Sequence, residues 1–285
     1  MPGQTIGVSV FTARLSESLG LSAMQLSVAY MLGSLASAGF INSGGRFFDR
    51  FGARRAIVYS VFALGLVLIG LSFVEHFSRW VARIPLLNTR AWLPPFLVLI
   101  IGFALLRFTG QGMLTLSSRA MLGKWFNRRR GTVTAWSGAV VAFVFSGAPL
   151  ALESLIRQFG WQETWRFLGG FLILVLGLLF WLFARDNPEE CGLKMDGAFV
   201  GKVRKANLDS IIYPRFFGRK HLGAISGLFM TVIMITSAVG PFLFSLMVAL
   251  FGSYQSGFGI AALAAALIAL ASLRADNPQR RLAAG

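Results

Sequence analysis

Arg107 is the one charged residue in the apolar run that begins at Pro94-Pro95 and ends at Ser118. It stands 12 residues after Pro95 and 12 before Arg119, which puts it near mid-depth if the run crosses a bilayer. An unpaired cation there costs about 3 kcal/mol, so it must face protein, water or an anion. Two functional chemistries fit: a cationic site for a carboxylate, or a group that tunes a neighbouring proton site. The structural alternative is an arginine satisfied by carbonyls and by Gln111, which lies at i+4 on the same face. Glu153, four residues after Pro149, is either a proton site or half of a surface pair with Arg157. No other acid falls within an apolar run. A single cysteine, Cys191, excludes a disulfide framework and a thiolate metal site. Two distant histidines, His76 and His221, are too few for zinc, so neither metal nor cofactor is expected.

Those residues need elements to hold them, and composition says which kind. Of 285 residues 55% are hydrophobic and 13% charged, about half the charged share of a soluble domain. The net charge of +16 does not indicate nucleic acid, because the charges sit in short clusters between long charge-free runs. The chain reads as an all-α integral membrane protein. A crossing helix needs about 20 mostly apolar residues. Expected spans are residues 26–42 and 56–74, a third from Pro94-Pro95 to Ser118, then 131–152 and 167–184. A sixth and a seventh share the charge-free stretch from His221 to Leu273, which breaks at residues 252–257. Residues 1–15 hold too short an apolar run to cross, and lack the basic start and apolar core of a signal peptide.

Basic residues orient the chain. The loops after spans one, three, five and seven carry 20 Lys and Arg, the alternate loops carry 6, and Arg107 belongs to neither. The rich side is expected in the cytoplasm, with the N-terminus outside and the C-terminus inside.

An internal repeat is also visible. Phe126, Arg128, Gly131, Ser137-Gly138, Gly147, Pro149, Phe159-Gly160 and Asp186-Asn187-Pro188 surround spans four and five. The order recurs as Phe217, Arg219, Gly223, Ser226-Gly227, Gly240-Pro241, Phe251-Gly252 and Asp276-Asn277-Pro278 around spans six and seven. The second copy has no counterpart of spans one to three, so the chain looks internally shortened. Residues 1–184 are expected to form an N-terminal helical bundle, 185–220 a cytoplasmic linker, and 221–285 the remnant of a second bundle.

The loop after span one reads Gly45-Arg46-Phe47-Phe48-Asp49-Arg50-Phe51-Gly52-Ala53-Arg54-Arg55. It resembles the G-x-x-x-D-R-x-G-x-R-R signature of the major facilitator superfamily. Arg107-Phe108-Thr109-Gly110 is similar to that family's fourth-helix pattern. Further runs, among them Gly110 to Leu116 and Trp125 to Gly131, look most like the oxalate/formate antiporter and monocarboxylate porter branch. The resemblance implies an incomplete carrier fold whose spans correspond to family helices two to six, eleven and twelve. Helix one would be truncated and helices seven to ten missing.

It further implies a non-enzymatic secondary transporter in the plasma (inner) membrane, moving a small mono- or dicarboxylate by alternating access. Arg107 and Gln111 would bind the anion, and Gly45, Asp49, Arg50, Gly52, Arg54 and Arg55 would form a gating motif. Asp49 would dock on the start of span six, with Arg50, Arg54 and Arg119 orienting or screening it. A shortened chain is open to a second reading, a non-transporting membrane fragment that serves as an assembly or binding partner. Self-association is likewise open.

Overall fold

The computed structural model describes residues 3–85, 87, 89–126, 129–191, 222–251, 259, 262, 263 and 265–270. Among these the chain is helical, without an extended strand. Five helices are long and apolar enough to cross a membrane: Ala23–Ser72, Leu93–Trp125, Arg130–Phe159, Trp161–Phe183 and Ala224–Phe251. The first is two spans in one, because Gly52 at φ 85°, ψ 172° breaks it. Its arms, 23–51 and 53–72, contain nearly all of the first two expected spans. The seventh expected span is described only in part, at residues 259, 262, 263 and 265–270, all helical, and residues 192–221 of the linker lie outside the described residues.

Two short helices open the chain, α1 (Thr5–Ser9) and α2 (Thr12–Leu19). Residues 1–15 were expected to be too short to cross, and these helices are short, yet they are not peripheral. Val8, Phe11 and Leu15 are buried, and the Phe11 ring lies tilted against Trp165 with centroids 5.0 Å apart. The absence of a side chain at Gly3 lets this segment lie against Gly110 in the third span, where a Cβ would come within 2.5 Å of the Gly110 Cα.

Helix α3 (Ala23–Ser72) starts on a capping box. The Gln25 N–H donates to Ser22 Oγ at 3.1 Å, and the Ser22 N–H donates to Gln25 Oε1 at 2.8 Å. A short helix α4 (Val74–Val81) leads to α5 (Leu93–Leu106), whose prolines occupy the first turn, where no N–H is needed. The same rod continues as a π-helical stretch, Arg107–Leu114, and then α6 (Thr115–Trp125). Helix α7 (Arg130–Phe159) turns at Gly160 into α8 (Trp161–Phe171), a second π stretch (Leu172–Gly177) and α9 (Leu178–Phe183).

The last long helix, α10 (Leu222–Phe251), lies antiparallel along arm 23–51. Gly227 allows close approach: a Cβ there would sit 3.3 Å from the Ile41 carbonyl oxygen. Thr231 Oγ1 donates to the Ala38 carbonyl at 3.4 Å, and Ser27 and Ser245 share a hydrogen bond at 2.6 Å. Met230 and Met234 fill a core with Ala38, Ile41, Phe48 and Leu116. The larger core joins α2, both arms, α5 and α8 through Leu15, Tyr30, Leu64, Phe103 and Trp165.

The repeat is reflected in the helices. Both α7 and α10 have 30 residues, and Pro149 and Pro241 each fall 19 residues after the first.

Candidate functional site

The π stretch is where the third span departs from regular geometry, and it carries Arg107, Thr109, Gly110, Gln111 and Gly112, all buried. Extra backbone in such a stretch re-aims side chains and is frequent at functional sites. Arg107 is 0% exposed. One terminal nitrogen donates to Thr5 Oγ1 at 3.1 Å and also to Gln111 Oε1. The other donates to Ser237 Oγ, on α10, at 2.5 Å. The guanidinium lies over the Tyr30 ring at 5.4 Å, and the Tyr30 hydroxyl donates to Thr5 Oγ1 at 3.1 Å. Four separate parts of the chain thus converge on one cation.

The pairing with Gln111 is the one read from sequence. Thr5, Tyr30 and Ser237 were missed, since no spacing relates them to Arg107. Every one of these partners is electrically neutral, and among the described residues Arg107 makes no ion pair. Its Nε–H is buried and has no acceptor among them. A buried cation with a spare donor and no counter-charge is suited to an anion.

Beside it lies a cavity of about 440 Å³ between α1, α2, arm 23–51 and α10. Thr5 and Tyr30 belong both to its wall and to the Arg107 cluster. Ser9, Thr12, Ser16 and Ser245 add hydroxyls, and among the described residues no charged one lines it. A hollow of about 510 Å³ between the two arms of α3 is larger but apolar, walled by Phe40, Phe47, Tyr59 and Phe108, and touches neither Arg107 nor Gln111. Polar donors, rather than volume, single out the first.

At the other end of α10, Ala224 donates its N–H to Asp49 Oδ2 at 2.9 Å. The carboxylate therefore meets the helix start expected from the sequence, where unpaired N–H groups and the helix dipole favour an anion. Asp49→Asn is expected to cost about 1–2 kcal/mol, measured as a lower melting temperature of the detergent-solubilised chain. An unchanged midpoint would remove the docking role.

The arginines of the motif take different places. Arg54 reaches the end of the fifth span, donating to the Trp181 carbonyl from Nε at 3.2 Å and Nη2 at 2.6 Å. Its backbone N–H donates to Asp186 Oδ1 at 2.7 Å. Asp186 thereby caps arm 53–72, a role unassigned from sequence although Asp186-Asn187-Pro188 had stood out in the repeat. Arg50 lies over the Phe51 ring at 5.3 Å and Arg119 over Phe229 at 5.7 Å. Gly45 is buried and Arg55 is exposed. The motif was expected as a loop but is helical on either side of Gly52, and it contacts Asp186 on one side of residues 192–221 and Ala224 on the other.

Glu153 and Arg157 form an exposed i,i+4 ion pair at 3.0 Å, which favours the surface-pair reading.

Apolar membrane-length helices around a buried polar cluster define a multi-pass helical membrane protein. The family model of the Major Facilitator Superfamily matches residues 3–200, and the chain belongs to that superfamily, a transporter family whose members are typically not enzymes. No curated protein and no solved structure matches the chain.

Proposed function

We propose that this chain binds a small organic anion, a mono- or dicarboxylate, at Arg107 and Gln111, and moves it by alternating access. The observation that carries the reading is the fully buried Arg107 with neutral partners and an unshared Nε–H. Its neighbours support it: Ser237 brings α10, from the second copy of the repeat, to the same guanidinium that α1, arm 23–51 and the third span surround. The resemblance to oxalate/formate and monocarboxylate porters favours a carboxylate. Gly45, Asp49, Arg50, Gly52, Arg54 and Arg55 act as the gate, with the Asp49 contact holding α10 against arm 23–51 when that side is closed. The test is binding and exchange of labelled formate, oxalate and lactate by the chain in liposomes, with Arg107→Ala as the blank. Binding without exchange favours the second reading, a non-transporting partner, which the shortened second copy of the repeat supports.

The 20-to-6 division of basic residues supports an outside N-terminus and an inside C-terminus. Cys191 is exposed on the loop after the fifth span. A membrane-impermeant maleimide is expected to label Pro85→Cys in a Cys191→Ser background on intact cells. Native Cys191 is expected to react only after permeabilisation, and the reverse pattern inverts the topology.

A further inference from the structure

The hollow of about 510 Å³ between the two arms of α3 has a chemistry of its own. Its walls include Phe40, Ser43 and Phe47 of arm 23–51, Tyr59 of arm 53–72, and Leu105 and Phe108 of the third span. Phe40, Tyr59 and Leu105 are exposed, so the hollow opens sideways from the helices, onto the surface that a bilayer would cover. Three hydroxyls along it are turned back on their own helices. Ser37 Oγ donates to the Ser34 carbonyl at 3.1 Å, Ser60 Oγ to Ala56 at 2.6 Å, and Thr109 Oγ1 to Leu105 at 2.8 Å. Hydroxyls engaged in this way leave an apolar wall. From Ser37 to Phe47 the wall runs for about 15 Å at the helical rise. Such a groove suits a hydrocarbon chain rather than a hydrated solute.

The end of the groove nearest Gly52 is cationic. The Phe47 ring lies 4.7 Å from Phe51, and the Arg50 guanidinium lies over Phe51 at 5.3 Å. Tyr59, 6.2 Å from Phe47, closes the other side. Arg46 stands one turn before Arg50, and Arg55 one turn before Tyr59. All three arginines are exposed, and among the described residues none of them makes an ion pair. Acids close by in the chain are engaged elsewhere. Asp49, the one acid between Glu17 and Glu75, accepts from the Ala224 N–H, and Asp186 accepts from the Arg54 N–H.

An apolar groove that ends in unpaired cations is complementary to a molecule with a hydrocarbon chain and a negative head. We propose that the hollow holds one acyl chain of an anionic phospholipid, whose phosphate pairs with Arg46, Arg50 and Arg55. A neutral lipid would leave the arginines without a counter-charge, and a soluble anion would leave the groove unfilled. The site is separate from Arg107 and independent of any transported substrate. Its walls come from both arms and the third span, so a bound lipid ties three membrane-length segments together beside the break at Gly52.

The experiment uses the full chain in phosphatidylcholine vesicles with a trace of phosphatidylglycerol that carries a photoactivatable group midway along one acyl chain. Crosslinks are expected at Phe40, Phe47, Tyr59 and Leu105 several-fold more than at Leu174 and Trp181, which are exposed on another helix. Unlabelled phosphatidylglycerol should compete about tenfold better than phosphatidylcholine, and Arg46→Gln with Arg50→Gln should remove that preference. Ser43→Trp plugs the groove from an exposed position, so its melting temperature should match the parent while the groove crosslinks are lost. Equal labelling at Leu174, equal competition by the two lipids in the parent, an unchanged preference in the double arginine variant, or groove crosslinks that persist in Ser43→Trp each overturn the proposal. Displacement of the lipid by the same concentration of glycerol phosphate assigns the arginines to a soluble anion and overturns it too.

Discussion

Replacing Arg107 with alanine is expected to abolish carboxylate binding, and replacing it with lysine to weaken binding by about 10- to 100-fold. A hydrogen bond to a charged group is worth about 1.5–3 kcal/mol, and each 1.4 kcal/mol is a factor of ten. Lysine keeps the charge but not the planar fork, which here spans Thr5 and Gln111 from one nitrogen and Ser237 from the other. A purely structural arginine would also lose stability on substitution, so stability alone does not separate the roles. The separating measurement is a ligand-dependent melting shift. At 100 times its dissociation constant a bound anion stabilises the folded chain by about 2.7 kcal/mol. The parent should show such a shift with at least one of formate, oxalate or lactate, and Arg107→Ala should show none. A parent whose melting point ignores all three anions assigns Arg107 to structure.

Gly52→Ala is expected to cost about 2–4 kcal/mol. Two effects combine. At φ 85° and ψ 172° the backbone occupies a region that is essentially glycine-only, worth about 1–3 kcal/mol of strain for another residue. A Cβ there would also lie 2.5 Å from Asp186 Oδ1, displacing the carboxylate that caps arm 53–72. Losing a cap typically costs about 1 kcal/mol. The two effects separate in a double variant. Asp186→Ala alone should cost the cap, while Gly52→Ala with Asp186→Ala should cost less than the sum, because the clash is then gone and only the strain remains. Denaturation midpoints of the four proteins check this. Strict additivity would mean that the carboxylate does not restrain Gly52.

Sequence alone located the membrane-length helices, because a bilayer imposes its cost residue by residue: a charge or an unpaired backbone group in hydrocarbon is expensive wherever it falls. That is why the charge-free runs matched helices, why Arg107 stood out, and why the loop from Gly45 to Arg55 was expected to turn between spans. The contact from Asp49 to the start of α10 was also legible, since a carboxylate in a short loop and a helix N-terminus are both visible in the chain, and the family resemblance placed them together.

Tertiary structure alone decided who, beyond Gln111, meets Arg107. Serine and threonine carry no such penalty in a helix, as each can return its hydroxyl to its own preceding turn. Ser237 does so to Met234 and Thr231 to Gly227, at 3.1 and 3.0 Å. Their sequence positions therefore give no sign of whether they also reach across to Arg107 or Ala38. The same holds for the N-terminal helices, whose length forbids crossing but does not forbid burial against Gly110 and Trp165. It holds too for α7 and α10, alike in length and proline position, of which only the packed structure shows that α10 is seated on arm 23–51 while most of α7 is exposed. Hydropathy is a property of each residue in its solvent, whereas pairing between neutral groups is a property of two helices and exists only once both are in place.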